Sequence, residues 1–381
     1  PEAIDPLADM VDRRVLAVMD SANLPGVAVV IVQGDRVLHL AGFGVADRAS
    51  GRPVEPTTLF QIGSASKSFT STLLALLLER GELALDDPVS RYLPCDVDVP
   101  DSPTEGPIAL RHLALHTSGL PRQPPTLRRS HGDAPVLAFT HFELLQSIER
   151  AELEHPTGKG WQYSNFGYSV LGHALERAAE TPYETLLRRE IFTPLRMTGS
   201  TVTLWPRSEA LLARPYYRNR ENAELEVYTP WDTEAMAPAG GIASSAQDLA
   251  RYLSFHLGAY ADTDPVDGEA PSGDGAGMPG APDGAPYPVA SLLPAASIRA
   301  LHEPQVRIND ELSYALGWFV REVTGIGRVV EHGGEVDGYT SYLALAPEAG
   351  VGVAVLTNVG AAPIAALGDW ILGQAVRGAD R

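Results

Sequence analysis

The spacing of apolar positions changes along the chain. Val27 to Val32 is a run dominated by β-branched residues, followed by Gln33-Gly34-Asp35 and then Val37 to Leu40. Two strands around a short glycine-containing turn are expected there. Thr58 to Ile62 reads as another extended stretch that leads into Gly63. From Ser66 to Arg80 the spacing becomes helical. Phe69, Leu73, Leu74, Leu76, Leu77 and Leu78 form one broad face, and Gly81 suits a C-terminal cap. A helix so nearly apolar on all sides is expected to be central and buried.

Between Leu83 and about Met236 the pattern predicts helices at Arg111 to His116, Phe142 to Leu153, Tyr168 to Glu180 and Tyr183 to Phe192. Proline-rich connectors such as Pro121 to Pro135 separate them. Gln247 to Leu257 reads as a short amphipathic helix. Asp262 to Pro288 is dense in Gly, Pro, Ala and Asp and is expected to be a flexible surface loop. The last third returns to strands, at Tyr314 to Val323, Gly327 to Glu331, Ser341 to Ala346 and Val351 to Thr357, before a final helix from about Pro363 to Val376. Strands at both ends and helices between predict an α/β (α+β) fold with one sheet built from both chain ends and an inserted, mostly helical domain. The expected division is 1–80 with 240–381 for the sheet domain and 81–239 for the helical one.

Composition narrows the function classes. The chain has 381 residues and a net charge of −19, so nucleic acid and anionic membranes are poor partners. No run of about 18 apolar residues predicts a membrane span. Pro1 to Asp12 lacks the basic start and apolar middle of a secretion signal. The compartment stays unassigned, with the cytoplasm slightly favoured and secretion open if a leader has been removed. Cys95 is the only cysteine, which excludes an internal disulfide. Its expected role is that of a small hydrophobe. Lys67 and Lys159 are the only lysines, so each asks for a reason.

Lys67 lies three residues after Ser64, where a strand hands over to the buried helix. Side chains three apart on a helix are neighbours, roughly 5–6 Å between Cβ atoms. A serine needs a base beside it to act as a nucleophile. A buried lysine can be that base, because desolvation disfavours its charged form. The free N–H groups and positive dipole at a helix N-terminus suit the oxyanion of a tetrahedral intermediate. The plainer reading is a capping serine beside a lysine that reaches solvent. Tyr163 and Asn165, ahead of the helix at Tyr168, suit a proton relay and an amide that accepts from Lys67 while donating to a substrate. Alternatively, they are a core tyrosine and a cap. His332-Gly333-Gly334 follows the strand Gly327 to Glu331. Glycines there let a substrate backbone lie close as an added strand, with the N–H near Glu335 as an oxyanion donor. Alternatively, they are a hairpin turn with an exposed histidine.

Taken together and in this order, Ser64-x-x-Lys67, Tyr163-x-Asn165 and His332-Gly-Gly resemble the serine β-lactamase and penicillin-binding-protein superfamily. The similarity is greater to the class C β-lactamase-like branch, with its D-aminopeptidases, DD-carboxypeptidases, family VIII esterases, LACTB-like proteases and some acyltransferases. It extends over nearly the whole chain through Phe60 to Ser64, Leu115 to Leu120, Tyr163 to Tyr168, Pro194 to Met197, Ala239 to Ile242 and Asp248 to Arg251. The resemblance implies a mainly antiparallel sheet flanked by helices, with the site between it and a helical domain. It also implies that Ser64 is acylated and that Lys67 and Tyr163 share the acid–base work. Asn165 would orient Lys67 and substrate, and the N–H groups of Ser64 and Glu335 would form the oxyanion hole. His332 stands where β-lactamases of this branch carry lysine, so a fixed charge would be replaced by one that depends on pH. That favours an esterase, peptidase or transacylase over a dedicated β-lactamase. Asp337 stands where many relatives have proline.

Other chemistries fail on their motifs. Gly167-Tyr168-Ser169-Val170-Leu171 misses the Gly-x-Ser-x-Gly elbow by one residue. There is no His-Glu-x-x-His, cysteine ligand set or Walker loop. His112, His116, His131 and His141 read as structural or exposed, and no metal or cofactor is expected. The expected activity is that of a serine hydrolase acting through an acyl-enzyme on a small ester, amide or peptide, in some cases containing D-residues. An acyltransferase or peptide cyclase is the alternative, and a non-catalytic penicillin-binding-like sensor the second. The oligomeric state is left open.

Overall fold

The computed structural model describes residues 6–102, 104–127, 139–204, 206–219, 221–230, 234–261, 291–336 and 338–379. The expected loop at 262–288, His131, Asp337 and most of the Pro121 to Pro135 connector lie outside them.

Nine strands form one sheet. They are β1 (Gly26–Gln33), β2 (Arg36–Asp47), β3 (Arg52–Pro53), β4 (Val306–Arg307), β5 (Ser313–Tyr314), β6 (Phe319–Val323), β7 (Gly327–Val336), β8 (Tyr339–Ala346) and β9 (Val351–Thr357). Their order is β3-β2-β1-β9-β8-β7-β6-β5-β4, and every pairing is antiparallel. The two chain ends meet where β1 pairs with β9, from Val27 opposite Thr357 to Gln33 opposite Val351. Both strands are buried on both faces, which is why they read as continuous apolar runs.

Successive side chains of β1 divide between two cores. Val27, Val29 and Ile31 pack with α1 (Pro6–Ala22) and the C-terminal helix Ile364–Ala379. Ala28, Val30 and Val32 face the opposite layer, which contains α2 (Ser66–Glu79). The sequence reading did not anticipate α1. Only Val11, Val15 and Met19 of its 17 residues are buried, too thin a stripe to stand out.

Helix α2 is buried from Ser66 to Leu77. Its first turns are polar rather than apolar, and neighbouring tyrosines satisfy them. Thr70, Ser71 and Thr72 hydrogen-bond the hydroxyls of Tyr183, Tyr168 and Tyr252 at 2.7, 3.1 and 3.0 Å. Buried hydroxyls without such partners would each destabilise by about 1–3 kcal/mol.

Two sequence-based boundaries shift. The stretch Tyr314 to Val323 breaks into β5 and β6, with Gly317 at φ +81° between them. Strand β7 does not end before His332 but runs through the His332-Gly333-Gly334 triplet to Val336, so these residues are strand and not turn. Beyond Glu331, the partner of Phe319, β7 pairs only with β8 and has one open edge among the described residues.

That strand lies hard against the turn carrying Ser64. A Cβ on Gly334 would sit 1.8 Å from the Ile62 carbonyl oxygen, whereas one on Gly333 would meet nothing closer than 3.7 Å. Gly334→Ala should therefore destabilise the protein by about 1–3 kcal/mol through overpacking. Gly333→Ala should stay within about 0.5 kcal/mol of wild type. Urea unfolding of the two variants checks this, and equal midpoints would refute the close approach.

Candidate active site

The turn before α2 places Ser64. Residues Gly63–Ala65 form a single 3-10 turn, with Gly63 at φ +52°. Only glycine takes that conformation freely, and a Cβ there would also lie 2.7 Å from the Glu335 amide nitrogen. The Ser341 hydroxyl donates to the Ile62 carbonyl at 2.7 Å and ties the turn to β8. Ser64 is thereby held half-buried beside the open edge of β7, next to the backbone of Glu335.

One helical turn later, Lys67 is fully buried. Its Nζ lies 2.7 Å from Asn165 Oδ1, 2.6 Å from the Ala239 carbonyl and 3.3 Å from Ser64 Oγ. It also sits 4.7 Å above the Tyr163 ring. Burial, with a smaller contribution from the positive charge of Arg122, pushes its pKa well below that of free lysine. A neutral amine has two N–H donors and one lone pair. The carbonyl oxygens of Asn165 and Ala239 take the donors, which leaves the lone pair for the hydroxyl of Ser64.

Asn165 opens the helix α3 (Asn165–Ala178). Ser164 caps it by accepting from the Gly167 amide at 2.8 Å, so the helix begins three residues before the expected Tyr168. Tyr163, just ahead of the cap, hydrogen-bonds the side chain of Ser64. Burial raises its pKa, the contact with Ser64 opposes that rise, and the phenol keeps its proton at neutral pH.

His332 is 1 % exposed. Its ring packs near Phe319, Tyr163 and Tyr314, at centroid distances of 5.3, 6.2 and 6.4 Å. Burial, assisted by Lys67, pushes its pKa down to about 3, against the contact with Gly333. The charge expected to vary with pH is therefore absent across the neutral range, because the ring is shut in among aromatics. Its Nδ1 lies 2.6 Å from the Gly333 carbonyl. A carbonyl only accepts, so Nδ1 carries the proton and Nε2 is a bare acceptor. Nε2 has no hydrogen-bond partner.

The structure thus gathers Ser64, Lys67, Tyr163, Asn165, His332, Gly333, Gly334 and Glu335 at one place. All but Lys67 and Asn165 line a cleft of about 650 Å³. Sequence reasoning missed other lining groups, among them Arg122, Trp161 and Phe319. Arg122 is exposed and stands 5.0 Å from the Tyr163 ring. It has no ion-pair partner among the described residues. The signal for it was weak: a single cation two residues after the Leu115 to Leu120 block. His116, read as structural, is fully buried behind the site. Its Nδ1 accepts from the Ser164 amide at 3.0 Å, and its Nε2 lies 3.1 Å from the Tyr314 hydroxyl. It holds the segment that carries Tyr163.

The chain is similar to known proteins. The Beta-lactamase family matches residues 11–376. "Penicillin-binding protein 4" of Amycolatopsis lactamdurans is 28% identical over 92% of this chain and 85% of its own length. The "D-alanyl-D-alanine-carboxypeptidase/endopeptidase AmpH" of Escherichia coli K12 is 30% identical over 66% of this chain and 62% of its own length. Among solved structures, a beta-lactamase/D-alanine carboxypeptidase from Yersinia pestis superposes with a TM-score of 0.78 at 24% identity, covering 98% of this chain and 99% of that one. The chain belongs to the beta-lactamase family, on the class C-like side of the serine β-lactamase and penicillin-binding-protein superfamily.

Proposed function

We propose that this serine hydrolase forms its acyl-enzyme on Ser64, with neutral Lys67 as the base that activates it. The observation that carries the reading is the fully buried Lys67 amine, 3.3 Å from Ser64 Oγ, with its two other polar neighbours both acceptors. Ser64 gives its proton to Lys67 as Oγ attacks the substrate carbonyl. The N–H groups of Ser64 and Glu335 hold the oxyanion. Collapse of the intermediate expels the leaving group, which takes its proton from Lys67 through the Tyr163 hydroxyl. Water then repeats the sequence in reverse and frees Ser64. The high pKa of Tyr163 supports a relay rather than a resting phenolate base. Asn165 keeps the lysine aimed.

The substrate class is an ester, amide or peptide acyl donor lying along the open edge of β7 at Gly333 and Gly334. Among the described residues the His332 Nε2 and the Trp161 indole N–H, buried in the wall of the cleft, have no hydrogen-bond partner. With His332 neutral, the cation available to a substrate carboxylate is Arg122. The relative named as a D-alanyl-D-alanine carboxypeptidase supports a peptide with a free carboxylate as one such donor.

Four measurements test this. A β-lactam or fluorophosphonate probe should add one adduct mass to the wild type and none to Ser64→Ala. Absence from the wild type, or an equal adduct on the variant, refutes the nucleophile. Arg122→Gln should raise KM for a carboxylate-terminated peptide about tenfold, the scale of one charge-assisted hydrogen bond. It should leave KM for a neutral p-nitrophenyl ester unchanged. Parallel losses on both substrates would remove Arg122 from carboxylate recognition.

Lys67→Met should lose at least about a hundredfold in kcat. It should also change how stability depends on pH. The unfolded chain keeps the lysine proton up to about pH 10.5, whereas the fold sheds it well below. Between those values unfolding takes up a proton, so rising pH stabilises the wild type by up to about 1.4 kcal/mol per unit. Lys67→Met removes that slope. Urea unfolding from pH 7 to 9 shows it, and identical slopes in the two proteins would mean that Lys67 is charged in the fold.

A further inference from the structure

A second cluster of titratable side chains lies elsewhere on the helical layer. The helix His141–Glu149 presents His141 at its first residue. Helix α3 carries His173 and Glu176, one turn apart. A ring nitrogen from each histidine and a carboxylate oxygen all lie within 4.8 Å of one another. His141 Nε2 is 2.9 Å from Glu176 Oε2, and His173 Nδ1 is 3.7 Å from the same oxygen.

Two features argue against an ordinary surface ion pair. First, among the described residues neither buried ring nitrogen of His173 has a partner at hydrogen-bonding distance, the Glu176 Oε2 standing 3.7 Å from Nδ1. An imidazole always has a donor and either an acceptor or a second donor to satisfy, and buried polar groups are nearly always paired. Second, Glu176 is already an oriented ligand: its Oε1 accepts from the Tyr183 amide at 2.6 Å, which turns Oε2 toward the two histidines.

We propose that His141, His173 and Glu176 bind one divalent transition-metal ion of the zinc class and so join the helix His141–Glu149 to α3. Zinc bonds of about 2.0–2.2 Å to nitrogen and oxygen set ligand atoms roughly 3.3 Å apart at a tetrahedral centre. The observed 2.9 and 3.7 Å straddle that value. Two imidazoles and one carboxylate favour zinc over magnesium or calcium, which prefer all-oxygen shells. The side chain of His141 is 51% exposed, so the fourth position opens to water. The ion has a structural effect with a functional address. Its ligand His173 lies eight residues along the same helix from Asn165, about 12 Å at 1.5 Å per residue. Fixing α3 to its neighbour steadies the helix whose first residue faces Lys67.

The test uses the full chain, stripped with a chelator, exchanged into chelator-free buffer and titrated with zinc chloride by calorimetry. One ion per chain should bind the wild type, and zinc should raise its Tm. Magnesium chloride should do neither. His173→Ala should weaken zinc binding by at least about a hundredfold, since loss of even an outer-shell partner costs 10–100-fold. His141→Ala, an exposed change that spares the core, should weaken it at least about tenfold and abolish the Tm rise. His39→Ala, in the separate His39–Asp12 pair, should bind like the wild type. The proposal is overturned by absent or non-saturable zinc binding, by equal binding of magnesium, by wild-type affinity in the folded His141→Ala variant, or by loss of the site in His39→Ala.

Discussion

The burial of one amine organises this molecule. Lys67 is drawn from water by α2, and three separate parts of the chain must converge to satisfy it: Ser64 one turn away, Asn165 at the head of α3, and the Ala239 carbonyl. A charged ammonium in that position would have to be stabilised against a large desolvation penalty. A neutral amine needs only two acceptors and something to receive its lone pair. The fold supplies the acceptors from backbone and amide, groups that do not themselves titrate, so the amine is tuned mainly by packing rather than by a neighbouring acid. Thr70, Ser71 and Thr72 on α2 follow the same pattern, each hydroxyl answered by a tyrosine from another element.

The second constraint is contact between the sheet and the turn carrying Ser64. Gly334 and Gly63 let two backbones meet at distances that no side chain would allow. This closeness puts the Glu335 amide beside Ser64 and leaves the open edge of β7 facing the cleft. The chain's unusual topology serves that placement. Because β1 and β9 join the two ends at the middle of the sheet, β7 and β8 come from the C-terminal third yet lie against a turn from residues 60–65.

Much of this was legible before the structure. Sheet strands from both ends, the buried α2, and the grouping of Ser64, Lys67, Tyr163, Asn165 and His332 all followed from local period, spacing and family resemblance. What was not legible depends on distant packing. Helix α1 shows a weak stripe because the sheet, not its own sequence, decides that three side chains suffice. The His332 triplet read as following the strand, with a turn as the alternative, because glycines are common in turns; the closeness of the Ile62 carbonyl accounts for Gly334 within the strand. Arg122 and Trp161 carry no motif, and their place in the cleft comes from segments far apart in sequence. The charge of His332 was misjudged for the same reason, since aromatic rings from residues 163, 314 and 319 enclose it.

That last difference reshapes the electrostatics of the site. Lys67, Tyr163 and His332, the three titratable groups packed around Ser64, all rest uncharged in the proposed mechanism. In the proposed mechanism, charge appears only as the reaction proceeds: a proton reaches Lys67 as the oxyanion forms at the Ser64 and Glu335 amides. Each new charge is then the other's counter-ion, in an environment where few waters screen them and their attraction is correspondingly strong. A permanent cation at position 332 would stabilise a substrate carboxylate, but it would also oppose protonation of the nearby lysine. In the proposed reading a neutral histidine lessens that opposition and leaves carboxylate binding to the exposed Arg122, whose own charge lowers the Lys67 pKa less than burial does.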